Sequence, residues 1–220
     1  MIPPYKERLE SLIEYFEGEL QRAGVKVELG KKATRSSIFS LDPDAVILAT
    51  GSGPLRPRIK GIERGRVVDA QEALKSEGKP GGKTIVLGGG LLGCEIGEFL
   101  AGKGEKVVIV EVLDEIAKEA PVSLRWPLLD SLEKEERLEM LTGVKDEEIV
   151  DGGLALTDSE GRRRTIRADR IVTAVGARPD ENLAKAIQNQ FPEVYTVGDC
   201  VKPGRIWDAT HEGYALGMNI

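Results

Sequence analysis

The sequence predicts an α/β fold, and three observations predict it. Four runs carry no polar alternation: AVIL at 45–48, TIVL at 84–87, VVIV at 107–110 and VYTV at 194–197. Runs of that kind suit strands covered on both faces, as in parallel sheets. The second is followed by a glycine-rich turn and then by apolar residues at helical spacing. Between residues 138 and 175, short alternating segments separated by turn residues predict an antiparallel meander.

From the N-terminus, Pro3 and Pro4 precede a helical pattern in which Leu9, Leu12, Ile13, Phe16 and Leu20 share one face. Gly24 ends it, and VKVEL at 25–29 reads as a strand. Asp44 leads into AVILATG at 45–51, a buried strand closing in a glycine turn. Residues 52–83 are rich in Gly, Pro and basic side chains and read as a crossover, with a short helix near residues 69–76. A strand at 84–87 follows, then a helix whose Leu92, Ile96, Phe99 and Leu100 face a sheet and which Gly102 and Gly104 end. KVVIV at 106–110 is the next strand. Residues 122–136 look helical, with Pro127 tolerable only near the first turn or at a kink. Strands at about 138–142, 145–150, 153–157, 163–168 and 170–175 form the meander, turning at Gly152-Gly153 and Ser159-Glu160-Gly161. IVTAVGARPD at 171–180 repeats the form of VILATG. A short helix over 182–190, a last buried strand VYTVGDC at 194–200 and a helix from near Asp208 complete the chain.

Gly88, Gly90 and Gly93 form G-x-G-x-x-G between strand and helix. The first glycine permits a tight turn, the second lets backbone approach a pyrophosphate, and the third lets the helix pack on its strand. The N–H groups and positive dipole at the helix start suit phosphates. Gly89, Leu91 and Leu92 belong to the same cradle, and Glu95 follows in the first helical turn. Glu111 closes the second strand about 20 positions past the glycines, where a ribose-binding acid is expected. A carboxylate there accepts bonds from the 2′ and 3′ hydroxyls and repels a 2′-phosphate, which favours NAD(H) over NADP(H). A structural glycine turn with a surface glutamate is the alternative.

Charged residues make up 31% of the 220 positions, aromatics 5%, and the net charge is −6. That balance argues against nucleic acid, whose phosphates need a basic surface. Arg162, Arg163 and Arg164, with Arg167 and Arg170, read as a solvated hairpin; Arg56, Arg58 and Lys60 read as plain surface. Cys94 and Cys200 belong to no C-x-x-C, which argues against a redox dithiol. One histidine and no cysteine cluster make a metal centre improbable. No apolar run reaches membrane-spanning length and the N-terminus is no signal peptide, so a cytoplasmic setting is expected.

PPYKERLESLIEYFEGELQRAGVKVELG, DAVILATGS, the 84–111 unit, AVGARPD and VYTVGDC occur in an order that resembles the flavin-containing oxidoreductases with two dinucleotide folds. Within them the chain most resembles the NADH:flavin oxidoreductase, dienoyl-CoA reductase and trimethylamine dehydrogenase group, over essentially its whole length. The resemblance implies a Rossmann-like NAD(P)H-binding domain with a meander at 61–178, inserted in a partial FAD-binding domain at 1–60 and 179–220. It places Asp199, after Gly198, at the flavin's ribityl chain or nearby phosphate region. Ala209, Thr210 and His211, at a helix start, would face the flavin ring, Thr50 and Gly51 would lie near FAD, and Gly176 near the nicotinamide dinucleotide. It also shows a departure: no first G-x-G-x-x-G precedes Met1–Tyr5, and the barrel of the larger relatives is absent. The isolated chain is therefore expected to bind FAD weakly or not at all, the missing piece coming from a separately encoded flavoprotein partner subunit or the chain being a truncated product. An exposed apolar surface there would favour self-association into a homo-oligomer.

Other candidates divide. His211 is a flavin-proximal group or a first-turn residue, and Glu95 a nicotinamide contact or a solvated acid. Cys94 and Cys200 read as structural, Trp126 and Trp207 as packing or interface residues. The expected function is an NADH-binding electron-input module passing hydride to FAD, with no side chain assigned as acid, base or nucleophile. The alternative is a catalytically silent NAD(H)-binding or assembly protein. A dehydrogenase acting directly on a small substrate lacks the acid or base it would need.

Overall fold

The computed structural model describes residues 8–220 apart from 65, 77 and 189; Pro3, Pro4 and the rest of the segment to 7 lie outside the described residues. In chain order the elements are α1 (Leu9–Arg22), α2 (Arg35–Phe39), β1 (Ala45–Leu48), β2 (Ser52–Pro54), β3 (Val67–Asp69), α3 (Ala70–Lys75), β4 (Lys83–Leu87), α4 (Leu91–Gly102), β5 (Lys106–Val110) and α5 (Val122–Lys134). They continue with β6 (Leu138–Leu141), β7 (Lys145–Val150), β8 (Gly153–Thr157), β9 (Arg163–Arg167), β10 (Arg170–Thr173), β11 (Ala177–Pro179), α6 (Asn182–Ile187), β12 (Glu193–Thr196) and α7 (Ile206–Gly217). The chain divides into two compact units, one holding the described residues up to Ile13 together with Pro54–Gly176 and the other Glu14–Gly53 with Ala177–Ile220, so that most of α1 falls in the second.

The first unit has three layers. Its centre is a parallel sheet in the order β3-β10-β4-β5-β6, with β4 in register on β5 from Lys83↔Lys106 to Leu87↔Val110. Alternate residues of each strand point to opposite faces. Val86, Val107, Ile109 and Val172 accordingly pack on one side with Ala73, Ile96, Leu100 and Leu132 of α3, α4 and α5. Ile85, Leu87, Val108, Val110 and Ile171 pack on the other with Ile149, Leu154, Leu156 and Ile166 of the meander. Both faces are covered, which is why the central strands read as unbroken apolar runs. Each fully buried Ile or Leu contributes about 1.5–3 kcal/mol, and Ile85, Ile96, Leu100, Ile109, Leu132, Ile149, Leu154 and Leu156 are all below 2% exposed.

The meander is smaller than the sequence suggests. Only β7, β8 and β9 are antiparallel. β6 and β10 join the parallel sheet, pairing with β5 and with β3 and β4. Local alternation gives a strand but not its partner, and Ile171 and Val172 of β10 are buried on opposite faces as a central strand requires. Arg170 is likewise no solvated hairpin residue. Its guanidinium lies 2.7 Å from Glu105, whose side chain is 1% exposed, and also reaches Thr84 and Ser76. Glu105 takes further bonds from the Thr84 hydroxyl and the Lys79 N–H, so the charge buried at the N-terminal ends of the strands is fully paired. Arg162 does fit the solvated reading, bridging Asp158 and Glu160.

Pro127 sits at the sixth position of α5, past the first turn. It costs the Ser123 carbonyl its helical donor, and the packing of Leu128, Leu129 and Leu132 on the core holds the helix through it.

The second unit is thinner. β1 runs parallel to β12, Val46 opposite Val194 and Leu48 opposite Thr196. Its core is Ile38, Val46, Leu48 and Ile187, with Leu183, Phe191 and Val194 against them and the Phe39 and Phe191 rings 4.7 Å apart. The Thr34 hydroxyl accepts from Ser37 N–H and the Ser37 hydroxyl from Thr34 N–H, a capping box that starts α2. Three expectations fail here. VKVEL is not a strand: among the described residues no neighbour pairs with it, and Val25, Val27 and Leu29 are exposed. β1 is covered on one face only, Ile47 being 48% exposed, and β12 has no buried residue. α1 and α7 are helices with no buried residue at all.

Candidate functional site

The strand β4 ends in Gly88 at φ +99°, and a Cβ there would stand 2.6 Å from the Ala174 carbonyl oxygen of the neighbouring strand's end. The turn is thus open to glycine alone. A Cβ on Gly93 would overlap the Gly88 carbonyl, so α4 begins pressed against the turn that precedes it. Gly89 is boxed by Ile116 Cδ1 and the Glu111 side chain. Gly90 differs. Its backbone (φ −69°, ψ −179°) suits any residue, and what a Cβ would meet is one oxygen of Glu119 at 2.7 Å. Three of these glycines are fixed by the fold, and the fourth leaves a space that the Glu119 carboxylate enters.

That space opens into a cavity of about 450 Å³ lined by Gly88, Gly90, Leu92, Glu111, Leu113, Glu119, Glu147, Ala174, Val175 and Gly176 among others. Gly176, at φ +113°, shares one hollow with the glycine turn and with Glu111. Leu92 is 39% exposed and lines the hollow; it does not join the buried face of α4. Leu91 opens the helix beside it, and Glu95 lies half-buried one turn on.

Glu111 is 9% exposed, with one carboxylate oxygen accepting from Gly89 N–H at 2.6 Å and the other from Leu113 N–H at 2.8 Å. It ties the end of β5 to the glycine turn while still bordering the cavity. Glu147, on β7, lines the same hollow, and burial pushes its carboxyl up, with the Glu111 charge adding to the effect. Glu119 caps α4: its Oε1 accepts from Leu91 N–H at 2.7 Å. Neither acid stands out in the sequence. Glu119 lies in an irregular loop, and its aim depends on Ala117 adopting φ +48°. Cys94 is fully buried under the turn with its Sγ 3.5 Å from the Gly89 carbonyl. Burial, then the Glu119, Glu95, Glu111 and Glu98 charges, push its thiol to about 12, consistent with the structural role expected.

The remaining predicted residues belong to the second unit. Gly51 is at φ +74°, its carbonyl accepts from Asp180 N–H, and the Thr50 hydroxyl donates to the Asp180 carbonyl. Asp199 accepts from the Ser52 hydroxyl at 3.1 Å and from Gly204 N–H at 3.0 Å, and Gly198 N–H donates to Glu212. Ala209 lies over Gly198. α7 starts at Ile206, two residues before the expected Asp208, so Ala209, Thr210 and His211 fall beyond its first three positions. The Thr210 hydroxyl is spent on the carbonyls of Ile206 and Trp207. His211 stacks on Trp207 at 3.8 Å and bonds its carbonyl through Nδ1. Cys200 is buried, its thiol on the Leu48 and Val197 carbonyls. Among the described residues no three His, Cys, Asp or Glu side chains form a metal site, and no helix is long and apolar enough to cross a membrane.

The pyridine nucleotide-disulphide oxidoreductase family matches residues 5–214. NADH oxidase of Thermoanaerobacter brockii is 37% identical over 99% of this chain and 34% of its own length. Bilirubin reductase of Mediterraneibacter gnavus is 36% identical over all of this chain and 34% of its own. In structure, a 2-naphthoyl-CoA reductase superposes at a TM-score of 0.93, with 30% identity, over 99% of this chain and 33% of the other. FAD-dependent members of the family are also among its structural relatives. The chain spans about a third of the length of the curated relatives it matches. It belongs to the pyridine nucleotide-disulphide oxidoreductase family, a family of FAD- and NAD(P)H-dependent enzymes.

Proposed function

We propose that this member of the family is the NADH-binding, electron-input part of an FAD-dependent oxidoreductase, in the group that holds NADH:flavin oxidoreductases, dienoyl-CoA reductases and trimethylamine dehydrogenase. One observation carries the proposal: Gly90, which has neither the positive φ of Gly88 nor the backbone and core contacts of Gly89 and Gly93, faces the hollow that Glu111 and Gly176 also border. Residues 61–178 are assigned to this NAD(P)H-binding role, and residues 1–60 with 179–220 to a flavin-type domain. In this reading Gly88–Gly93 and the N–H groups of Leu91 and Leu92 receive the diphosphate. Glu111 turns to the adenosine ribose, Gly176 to the nicotinamide half, and Glu95 stands beside it. FAD, when bound, supplies the flavin that accepts hydride. The chain's own share at that site is small: Thr50, Gly51, Gly198, Asp199, Ala209 and Thr210, with the Asp199 oxygens and the Thr210 hydroxyl already bonded within the chain. With no first G-x-G-x-x-G in this sequence to hold its diphosphate, FAD is expected to need further polypeptide, such as a partner subunit. The exposed Phe16, Leu20, Ile47 and Trp207 and the one-third share of the relatives' length support this.

Titration of the full chain with NADH tests the reading. Saturable binding is expected, with NADPH weaker because Glu111 and Glu147 border the 2′ position. Gly90→Val, whose backbone tolerates the change and whose side chain would displace only the Glu119 carboxylate, should weaken NADH at least about tenfold, equivalent to about 1.4 kcal/mol. The variant should stay folded, with a loss no larger than that of a helix cap, about 0.5–2 kcal/mol. No binding of NADH, or equal binding by the variant, would sink the proposal. Dye reduction with NADH and added FAD separates electron input from a silent NAD(H)-binding protein, which would bind and never reduce.

A further inference from the structure

Glu119 stands where the proposed site would put a phosphate. Its Oε1 takes the N–H of Leu91, the first residue of α4, at 2.7 Å and rests 2.7 Å from the position a Cβ on Gly90 would fill. These are the donor and the gap that a diphosphate uses at a dinucleotide turn. The placement is built by the loop between β5 and α5, which folds back across the turn. Ala117 donates its N–H to the Gly89 carbonyl at 2.7 Å from a buried, left-handed backbone at φ +48°. Ile116 is buried beside it, and its carbonyl accepts from Arg125 Nε. Ala120 N–H closes on the Ala117 carbonyl. The loop is anchored on both sides of Glu119, but the Glu119 side chain itself is exposed and can swing out.

We infer that Glu119 is an internal competitor for the diphosphate: its carboxylate holds the helix N-terminus while the site is empty and must leave when a dinucleotide enters. The inference rests on the NADH site proposed above. A carboxylate and a diphosphate cannot share one N–H and one helix end without like-charge repulsion, and the helix end favours whichever anion occupies it. Entry is then an exchange of anions. The empty turn keeps its N–H satisfied, and product leaves against a returning carboxylate, which lowers affinity and speeds release.

The test compares the full-length wild type with Glu119→Gln and Glu119→Ala by titration with NADH and with ADP-ribose, which carries the diphosphate without nicotinamide. Gln keeps an acceptor for Leu91 and loses the charge; melting temperature confirms that both variants fold. Both ligands are expected to bind both variants about tenfold tighter, equivalent to about 1.4 kcal/mol. A role limited to capping α4 would leave affinity unchanged in Gln and weaken it in Ala, and that result overturns the inference while leaving the NADH site intact. Absence of NADH and ADP-ribose binding in wild type and variants alike would overturn the site itself, and this inference with it.

Discussion

The two units of the chain bury their strands differently. β4 and β5 sit between helices on one face and the meander on the other, with four consecutive buried residues each. β1 has an exposed Ile47 between two buried neighbours, and β12 has no buried position. β1 (AVIL) is as apolar as the buried stretches of β4 and β5, so for it composition does not decide burial and the number of layers does; β12 (EVYT) is more polar to begin with. A run such as VILATG shows that a strand is suited to two-sided cover. Whether this chain provides both sides is a property of the other elements.

This contrast can be broken or sharpened by mutation. Gly93→Val places side-chain atoms into the Gly88 carbonyl, where only a backbone shift between β4 and α4 gives relief. It is expected to cost on the order of 4 kcal/mol or more, read as a collapse of the urea midpoint. A midpoint near wild type would mean that helix and turn are not interlocked. Arg170→Met removes the partner of a buried Glu105 and should cost about 3–5 kcal/mol, with the double variant Arg170→Met/Glu105→Leu recovering much of it. No loss in the single variant would show that water reaches Glu105. In the second unit, Phe16→Ser and Leu20→Ser, at sites 44% and 40% exposed, should stay within about 0.5 kcal/mol of wild type. A loss above about 1.5 kcal/mol would reveal that α1 is covered in solution, and size-exclusion chromatography would then identify a second copy as the cover.

The first unit was legible because its signals are local. Gly88, Gly90 and Gly93 lie within six residues, and Ile96 and Leu100 repeat at the helical period, so turn, helix and both flanking strands follow from one short stretch. β6 and β10 were misplaced because partner choice is set by distant chain, the meander having been inserted between them. VKVEL fits a strand pattern and finds no pairing neighbour among the described residues, a fact no window of five residues contains. At the candidate site, Glu111 could be found by its distance from the glycines. Glu119 and Glu147 could not, because a loop with a left-handed alanine and a strand of the opposite layer bring them there.

Cys94 gives the turn a built-in gauge. Its thiol is roofed by the Gly89 carbonyl, and burial, with the nearby carboxylates adding to it, keeps it protonated at ordinary pH. An alkylating reagent has no path to the sulfur while the first loop of the nucleotide fold stays shut. The pace at which this one sulfur is labelled therefore counts how often the glycine segment lifts off its helix, and a dinucleotide that pins the segment would slow that count.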